Sequence, residues 1–302
     1  MAYGMESVIK LCRGNNIEYR TDVSMSRFTT FKTGGKAKAA AFPSNEREIA
    51  DLIKICKATD TKYYIIGKGS NVLVADSGIN GLVIFTGEKF NGIRLRSGNI
   101  IEAQSGAPLS AVCGFALENS LTGLEFAWGI PGTVGGAACM NAGAYGGEMS
   151  DILKKTSHID GNGNAGAFTE TGLKLSYRKS VYTSLDYCVT GVFLQMAHGS
   201  REQIKAKMDD ILSRRKQKQP LEFPSAGSVF KRPEGYYAAA LIEECGLKGA
   251  RVRNAEVSEK HAGFIINTGG AVSADIIELI DIVKKTVYNK KGINLELEIK
   301  II

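Results

Sequence analysis

The chain has 302 residues, 44% hydrophobic and 23% charged, with a net charge of +7 and a pI near 9.0. That length exceeds one ordinary domain and implies two or three, and the composition is that of a soluble globular protein. No run of about eighteen apolar residues is present to span a bilayer, and Met1-Ala-Tyr-Gly-Met-Glu6 lacks the regions of a signal peptide, so a cytoplasmic protein is expected.

In chain order, Glu6 to Asn15 reads as a short amphipathic helix with Val8, Ile9 and Leu11 inward, followed by a loop. Ala37 to Phe42 reads as a strand. Ser44 is the expected N-cap of a helix reaching about Thr59, with Glu46 and Glu48 in its first turn and Ile49, Leu52, Ile53 and Cys56 inward. The strand Tyr63 to Ile66 completes a β-α-β unit and runs into Gly67-Lys-Gly-Ser-Asn71 and another strand, Val72 to Val74. Half of a dinucleotide fingerprint stands at Gly67, but its third glycine is missing, no helix follows, and no Walker lysine-serine pair is present. What remains is a strand-loop-strand phosphate cradle: Gly67 and Gly69 admit close backbone, and Ser70 and Asn71 can donate to phosphate.

Short strands follow at Leu82 to Phe85, Ile93 to Arg96 and Ile100 to Ala103, and Pro108 opens a helix to about Asn119. Gly129 to Gly147 is glycine at seven of nineteen positions, a composition that brings backbone close to a ligand. Within it Val134 to Met140 is expected as a short helix, its N-terminus at Pro131-Gly132-Thr133 facing an anion such as a cofactor pyrophosphate. Strands are expected at Ile152 to Ile159 and Val189 to Met196, with Leu175-Ser-Tyr-Arg-Lys-Ser180 between them. Arg201 to Gln219 reads as a long helix with Ile204, Met208, Ile211 and Leu212 inward, and its last-turn cations complement the helix dipole. That basic run, Arg214-Arg-Lys-Gln-Lys218, has no interleaved aromatic residues on which bases would stack, which argues against a nucleic-acid partner. The last third reads as strand Val229 to Lys231, helix Tyr237 to Cys245, strand Phe264 to Asn267 and helix Ser273 to Tyr288. Asn294 to Ile302 then alternates, with Leu295, Leu297, Ile299 and Ile301 on one face and Glu296, Glu298 and Lys300 on the other. His158 and His198 read as strand-end surface residues and His261 as structural or a substrate-domain contact. The six cysteines are scattered, without metal-ligand spacing, so buried free thiols and no metal site are expected.

Thr30-Phe-Lys-Thr-Gly-Gly35, Ile66-Gly-Lys-Gly-Ser-Asn-Val-Leu73, Gly129-Ile-Pro-Gly-Thr-Val-Gly-Gly136, Asn141-Ala-Gly-Ala-Tyr-Gly146, Ser176-Tyr-Arg-Lys-Ser180, Arg214-Arg-Lys-Gln-Lys-Gln-Pro220, Pro224-Ser-Ala-Gly-Ser-Val-Phe-Lys231 and Leu295-Glu-Leu-Glu298, in this order, resemble the UDP-N-acetylenolpyruvoylglucosamine reductases of peptidoglycan precursor synthesis. The resemblance covers nearly the whole chain. It implies an α+β fold: a two-subdomain FAD-binding module of the vanillyl-alcohol-oxidase (PCMH) type, then an α/β substrate domain, with the C-terminal strand returning to the flavin domain. The implied boundaries are 1–85 with 295–302, 86–203 and 204–294. It also implies non-covalent FAD, NADPH as hydride donor, a UDP-sugar substrate, a monomer, and neither nucleic acid nor membrane as partner.

Carried over residue by residue, the resemblance makes Arg178 the cation that stabilises charge developing on the substrate, Ser228 the proton donor and Glu298 its acidic partner. Glu298 is chosen over Glu296 by alignment with the last glutamate of the family's terminal strand. Gly67, Lys68, Gly69, Ser70, Asn71, Leu73, Pro131, Gly132, Thr133, Gly135, Gly136, Asn141, Gly143, Ala144, Tyr145 and Gly146 are the implied cofactor contacts, and Tyr177, Arg214, Lys218 and Lys231 the substrate contacts. Between Arg178 and the next strand there is no room for the lid loop of longer relatives, so this is the short form, with Tyr177 and Tyr182 as unranked lid candidates. Two other readings stand beside it. One is an oxidase of the same fold with covalent flavin, for which Cys139 is in the second glycine loop; the other is a nucleic-acid-binding module.

Overall fold

Residues 2–302 are described in the structure, a computed structural model. They form two compact units. Unit 1 comprises the chain up to Asp22 with Lys38–Lys68 and Asn80–Ser213; unit 2 comprises Val23–Ala37, Gly69–Ile79 and Arg214–Ile302. The boundary falls inside the long helix, and unit 2 takes two early segments that chain order alone assigns to the first part.

Helix α1 (Ala2–Gly14) turns Val8 and Cys12 inward, with Ile9 and Leu11 only half-buried. The expected loop after it is strand β1 (Glu18–Ser24), in which Val23 alone is buried; a mostly polar strand shows no period that sequence reading can detect. After β2 (Lys36–Phe42), helix α2 (Glu46–Ala58) is capped by Asn45 rather than Ser44. Asn45 Oδ1 accepts the Glu48 N–H at 3.0 Å, while the Ser44 N–H donates to the Glu48 carboxylate at 2.7 Å. β3 (Tyr63–Ile66) ends at the first glycine loop and β4 (Val72–Leu73) leaves it. β5 (Ile79–Phe85) then inserts beside β3, parallel to it, in the sheet order β1-β2-β5-β3. The expected β-α-β unit is therefore split by a later strand.

A second, antiparallel sheet of unit 1 begins with β6 (Ile93–Arg96) and β7 (Ile100–Gln104). Helix α3 (Leu109–Glu118), β8 (Leu121–Thr122), helix α4 (Val134–Cys139) and the hairpin β9 (Gly143–Ala144) and β10 (Gly147–Glu148) come next. β11 (Leu153–Ile159), β12 (Ala165–Thr169) and β13 (Cys188–Gln195) complete the order β12-β11-β13-β7-β6, and β14 (Ala197–His198) pairs with β8. β12 escapes sequence reading because Ala165-Gly-Ala-Phe-Thr169 is an exposed edge of mostly small residues. Unit 1 has two separate apolar cores. Ile49, Leu52, Ile53, Leu82 and Ile84 centre one; Ile101, Val112, Val192 and Leu194 centre the other, which Ile204 and Met208 of helix α5 (Arg201–Lys218) join.

In unit 2, helix α6 (Ala238–Glu244) precedes the antiparallel sheet of β15 (Arg251–Val252), β16 (Ala255–Val257) and β17 (Ile265–Asn267). Helix α7 (Ser273–Lys291) runs past its expected end to Gly292, which stops it at φ 70°. Its core gathers Leu241, Ile242, Val257, Ile265, Ile276, Leu279 and Val283 with Phe31 and Leu73. The C-terminal alternation is only partly realised. β18 (Lys300–Ile301) pairs in parallel with β4, Leu297 makes a single bridge to Phe230, and the chain bends at Glu298 and Ile299. That bend breaks the expected apolar face: Leu295 and Ile299 are buried, whereas Ile301 is 44% exposed. Among the described residues, no helix is long and apolar enough to cross a membrane.

Candidate functional site

Inside unit 1, Gly67, which opens the first glycine loop, meets the second loop. A β-carbon at Gly67 would lie 2.5 Å from Thr133 Oγ1, so the first loop must be glycine where the second presses on it. Thr133 caps α4, accepting the Gly136 N–H at 3.3 Å. The helix N-terminus, however, does not offer its first-turn donors to an anion as expected. The Val134 N–H donates to Ala107 O and the Gly135 N–H to Ser105 O, each at 2.9 Å, so both are consumed by protein. Gly135 is likewise a packing glycine, since its β-carbon would lie 2.5 Å from Ser105 Cβ. The open donors lie just before the helix. The N–H groups of Gly67, Lys68, Gly132 and Thr133 meet no protein acceptor among the described residues, and a β-carbon at Gly136 would find nothing nearer than Thr133 Oγ1 at 3.6 Å. Unsatisfied backbone donors around exposed glycine make a nest that suits a cofactor pyrophosphate. Pro131 and Lys68 are exposed beside it.

Further along the second loop, glycine serves the hairpin. Tyr145 and Gly146, at φ 51° and 85°, are the two central residues of a type I′ turn between β9 and β10. Gly143 is close-packed, for a β-carbon there would lie 2.7 Å from Glu148 Cβ; Ala144 is half-buried next to it. Asn141 is fully buried, and both ends of its amide are used by protein: Nδ2 donates to Ser176 O at 3.1 Å and Oδ1 accepts the Ser150 N–H at 2.8 Å. It braces the turn that carries Arg178. Ser176 and Lys179 exchange two backbone hydrogen bonds of 3.0 Å, leaving Tyr177 and Arg178 at the tip. Arg178 is left-handed at φ 54°, half-buried, stacked 4.9 Å from the Tyr177 ring, and donates through Nη2 to Gly143 O at 3.0 Å. A long side chain held in that conformation marks a site whose surroundings over-determine it.

Unit 2 assembles the other candidates. Gly69, at φ 62°, is pressed on the segment Phe28-Thr29-Thr30: a β-carbon would overlap Phe28 O, and the Thr30 N–H donates to Gly69 O at 3.1 Å. Ser70 is half-buried next to it. Asn71 holds the C-terminal segment, its Nδ2 donating to Glu298 O at 3.1 Å and its carbonyl accepting the Lys300 N–H at 3.0 Å. The Leu73 side chain points into the apolar core, which leaves only its backbone for a ligand. The segment carrying Ser228 runs between two others: Ser228 bridges to Phe264, the Glu298 N–H donates to Val229 O at 2.8 Å, and Phe230 bridges to Leu297. Ser228 and Glu298 thus lie on adjacent backbone segments. Glu296 is 76% exposed at its side chain and pairs at 3.2 Å with Lys231, an expected substrate contact, whereas Glu298 is half-buried. Arg214 and Lys218 are exposed on one face of α5. Arg215 between them is only 5% exposed, continuing the buried stripe of Ile204, Met208 and Ile211. Sequence reading grouped it with its solvated neighbours, although the stripe's spacing was the available signal.

Two expectations fail in unit 1. Tyr182 is no lid: it is 5% exposed, with its hydroxyl 2.6 Å from Thr156 Oγ1 and 3.0 Å from His158 Nδ1. His158 is no surface residue either, but is boxed by the rings of Phe168, Tyr182 and Tyr187, and burial holds its pKa below the usual 6.5. Tyr177, at 43% exposure, keeps its place as a lid candidate, and His198 is exposed as expected. In unit 2, His261 packs edge-on against Phe264 and accepts the Gly263 N–H through Nδ1 at 3.2 Å, a structural role. Five cysteines are buried free thiols, and Cys139 is half-buried.

Residues 37–166, which include both glycine loops, match an FAD-binding domain, and residues 219–302 match the C-terminal domain of UDP-N-acetylenolpyruvoylglucosamine reductase. The chain is 48% identical over 285 residues to the UDP-N-acetylenolpyruvoylglucosamine reductase of Clostridium novyi (strain NT), covering 94% of this chain and 92% of that protein. Its fold matches the crystal structure of the Thermus caldophilus enzyme of that name with a TM-score of 0.81 at 34% identity, over 94% of this chain and 98% of the other. A glucooligosaccharide oxidase of Acremonium strictum, 13% identical, shares the fold alone, with a TM-score of 0.51 over 97% of this chain and 59% of that one. Near-complete coverage at high identity, together with an FAD-binding match over the residues that form the backbone nest, leads to one conclusion: the chain belongs to the UDP-N-acetylenolpyruvoylglucosamine reductase family of FAD-dependent oxidoreductases.

Proposed function

We propose that the protein reduces the enolpyruvyl ether of UDP-N-acetylglucosamine enolpyruvate to UDP-N-acetylmuramate, with NADPH as hydride donor, as a cytoplasmic monomer supplying peptidoglycan synthesis. Bound FAD supplies hydride transfer, from the nicotinamide to the β-carbon of the enolpyruvyl group. The Gly67–Lys68 and Gly132–Thr133 backbone donors hold its pyrophosphate, and Arg214 and Lys218 meet the diphosphate of the substrate. Arg178 stabilises the negative charge that develops on the α-carbon and carboxylate, a fixed cation costing no reorganisation at the moment of reaction. Ser228 delivers a proton to the α-carbon. A serine hydroxyl is a weak acid, and Glu298 on the adjacent segment takes part in its proton exchange with solvent.

The observation that carries this reading is the adjacency of Ser228 and Glu298, fixed by the Glu298 N–H on Val229 O. Its test separates the two half-reactions by stopped-flow flavin absorbance. Ser228→Ala should leave flavin reduction by NADPH nearly intact and slow reoxidation by the enolpyruvyl substrate by about 10² to 10⁴-fold. Equal slowing of both halves would make Ser228 a packing residue.

A further inference from the structure

We propose that Asn141 is the positioning residue of Arg178. The proposal rests on the reading of Arg178 as the charge-stabilising cation. Three polar ties hang the 176–180 turn on alternate residues of the glycine segment: Ser180 Oγ donates to Cys139 O at 2.7 Å, Asn141 Nδ2 to Ser176 O at 3.1 Å, and Arg178 Nη2 to Gly143 O at 3.0 Å. The middle tie is set apart by burial, because Asn141 is 0% exposed. Its amide cannot turn, since flipping would set Nδ2 against the Ser150 N–H and Oδ1 against the Ser176 carbonyl, leaving buried groups unpaired. The backbone of Asn141 is itself left-handed at φ 42°, a conformation asparagine tolerates better than most side chains.

The turn needs such a brace. Arg178 occupies a left-handed corner where a type II turn ordinarily has glycine, and an unfavoured corner relaxes unless its ends are held. Asn141 grips the carbonyl that opens the turn, and through it sets where the guanidinium stands. A shift of about 1 Å in a reacting group costs on the order of 10²-fold in rate.

Asn141→Asp keeps the size, the left-handed tolerance and the acceptor for the Ser150 N–H, and replaces only the donor that faces Ser176. In the purified holoenzyme, reduced with dithionite and mixed anaerobically with UDP-N-acetylglucosamine enolpyruvate, reoxidation should slow by about 10 to 100-fold. Asn141→Gly, which relieves the backbone and carries no charge, should behave alike. Independently of turnover, hydrogen exchange at residues 176–180 should accelerate at least ~10-fold in both variants as the turn loses its brace. Combining Asn141→Asp with Arg178→Ala should be no slower than Arg178→Ala alone, since the two act as one unit. Wild-type exchange in the turn, additive slowing, or reoxidation within about twofold of wild type while Arg178→Ala is slow would each overturn the proposal. Wild-type reoxidation in Arg178→Ala would instead sink the reading of Arg178, with the exchange measurement still deciding whether Asn141 holds the turn.

Discussion

The Arg178 turn of unit 1 and the Ser228–Glu298 pair of unit 2 are tied to their neighbouring segments by different means. Around Arg178 the ties are made by side chains, those of Asn141, Ser180 and Arg178 itself, on a left-handed corner. Around Ser228 and Glu298 they are mostly backbone bonds, Val229 N–H to Gly263 O at 2.9 Å, Glu298 N–H to Val229 O and Lys231 N–H to Glu296 O, each of the last two at 2.8 Å, joined by one side-chain tie from Asn71 Nδ2 to Glu298 O at 3.1 Å. Backbone ladders survive replacement of the side chains along them, whereas side-chain ties are lost one substitution at a time. The first site is therefore more open to adjustment by single mutations than the second, where a side-chain tie comes from Asn71.

The largest effects should come where glycine admits another backbone. Gly135→Val drives a side chain into Ser105 and Gly69→Val into the Phe28 carbonyl, so both variants should lose fold and flavin together in thermal melts and absorbance spectra. Gly136→Ala is the contrast: with its nearest neighbour 3.6 Å away it should melt within a few degrees of wild type yet, on the proposed reading of the nest, bind FAD about tenfold more weakly. Unaltered FAD affinity in Gly136→Ala would remove the nest from the cofactor site.

Next in size, Arg178→Gly should divide stability from activity. Glycine relieves the left-handed corner by about 1 kcal/mol, so the melting temperature should hold or rise, while reoxidation by substrate falls about 10² to 10³-fold. A loss of both would place Arg178 among structural cations.

The smallest effect is a pH dependence to which a buried histidine of each unit contributes. Burial lowers the pKa of His158 below 6.5, with Asp160 opposing weakly, so below that pH the unfolded chain binds more protons than the folded one. Stability is complete above pH 6.5 and declines as pH falls below it, by up to ~1.4 kcal/mol for each pH unit. His261 in unit 2 shifts in the same direction and adds to the wild-type slope. Tyr182 links His158 to the Arg178 turn, because its hydroxyl meets Nδ1 and its N–H donates to Ser180 Oγ at 3.2 Å. His158→Gln should flatten the pH dependence of the melting temperature and of hydrogen exchange at residues 176–180, whereas His261→Gln should flatten only the first. Identical behaviour of both variants in the turn would show that His158 is not coupled to it.

What the sequence determined by itself is local. Helices α2, α3, α5 and α7 follow from apolar spacing, with Pro108 opening α3, and the glycine loops announce themselves by composition, because these signals act within a few residues. The ordered motifs carried the family and its cofactor. Only the tertiary structure decided what each polar residue and glycine serves. Asn71 reads as a phosphate donor and Asn141 as an implied cofactor contact, yet their side-chain amides brace the segments of Glu298 and Arg178, and Gly69 and Gly135 read as room for a ligand but make room for Phe28 and Ser105. Tyr182 reads as a lid candidate and His158 as a surface residue, but they share one buried box. The physical reason is common to all of these: an amide, a ring or a missing β-carbon declares what it can pair with, and the partner is supplied by residues distant in sequence.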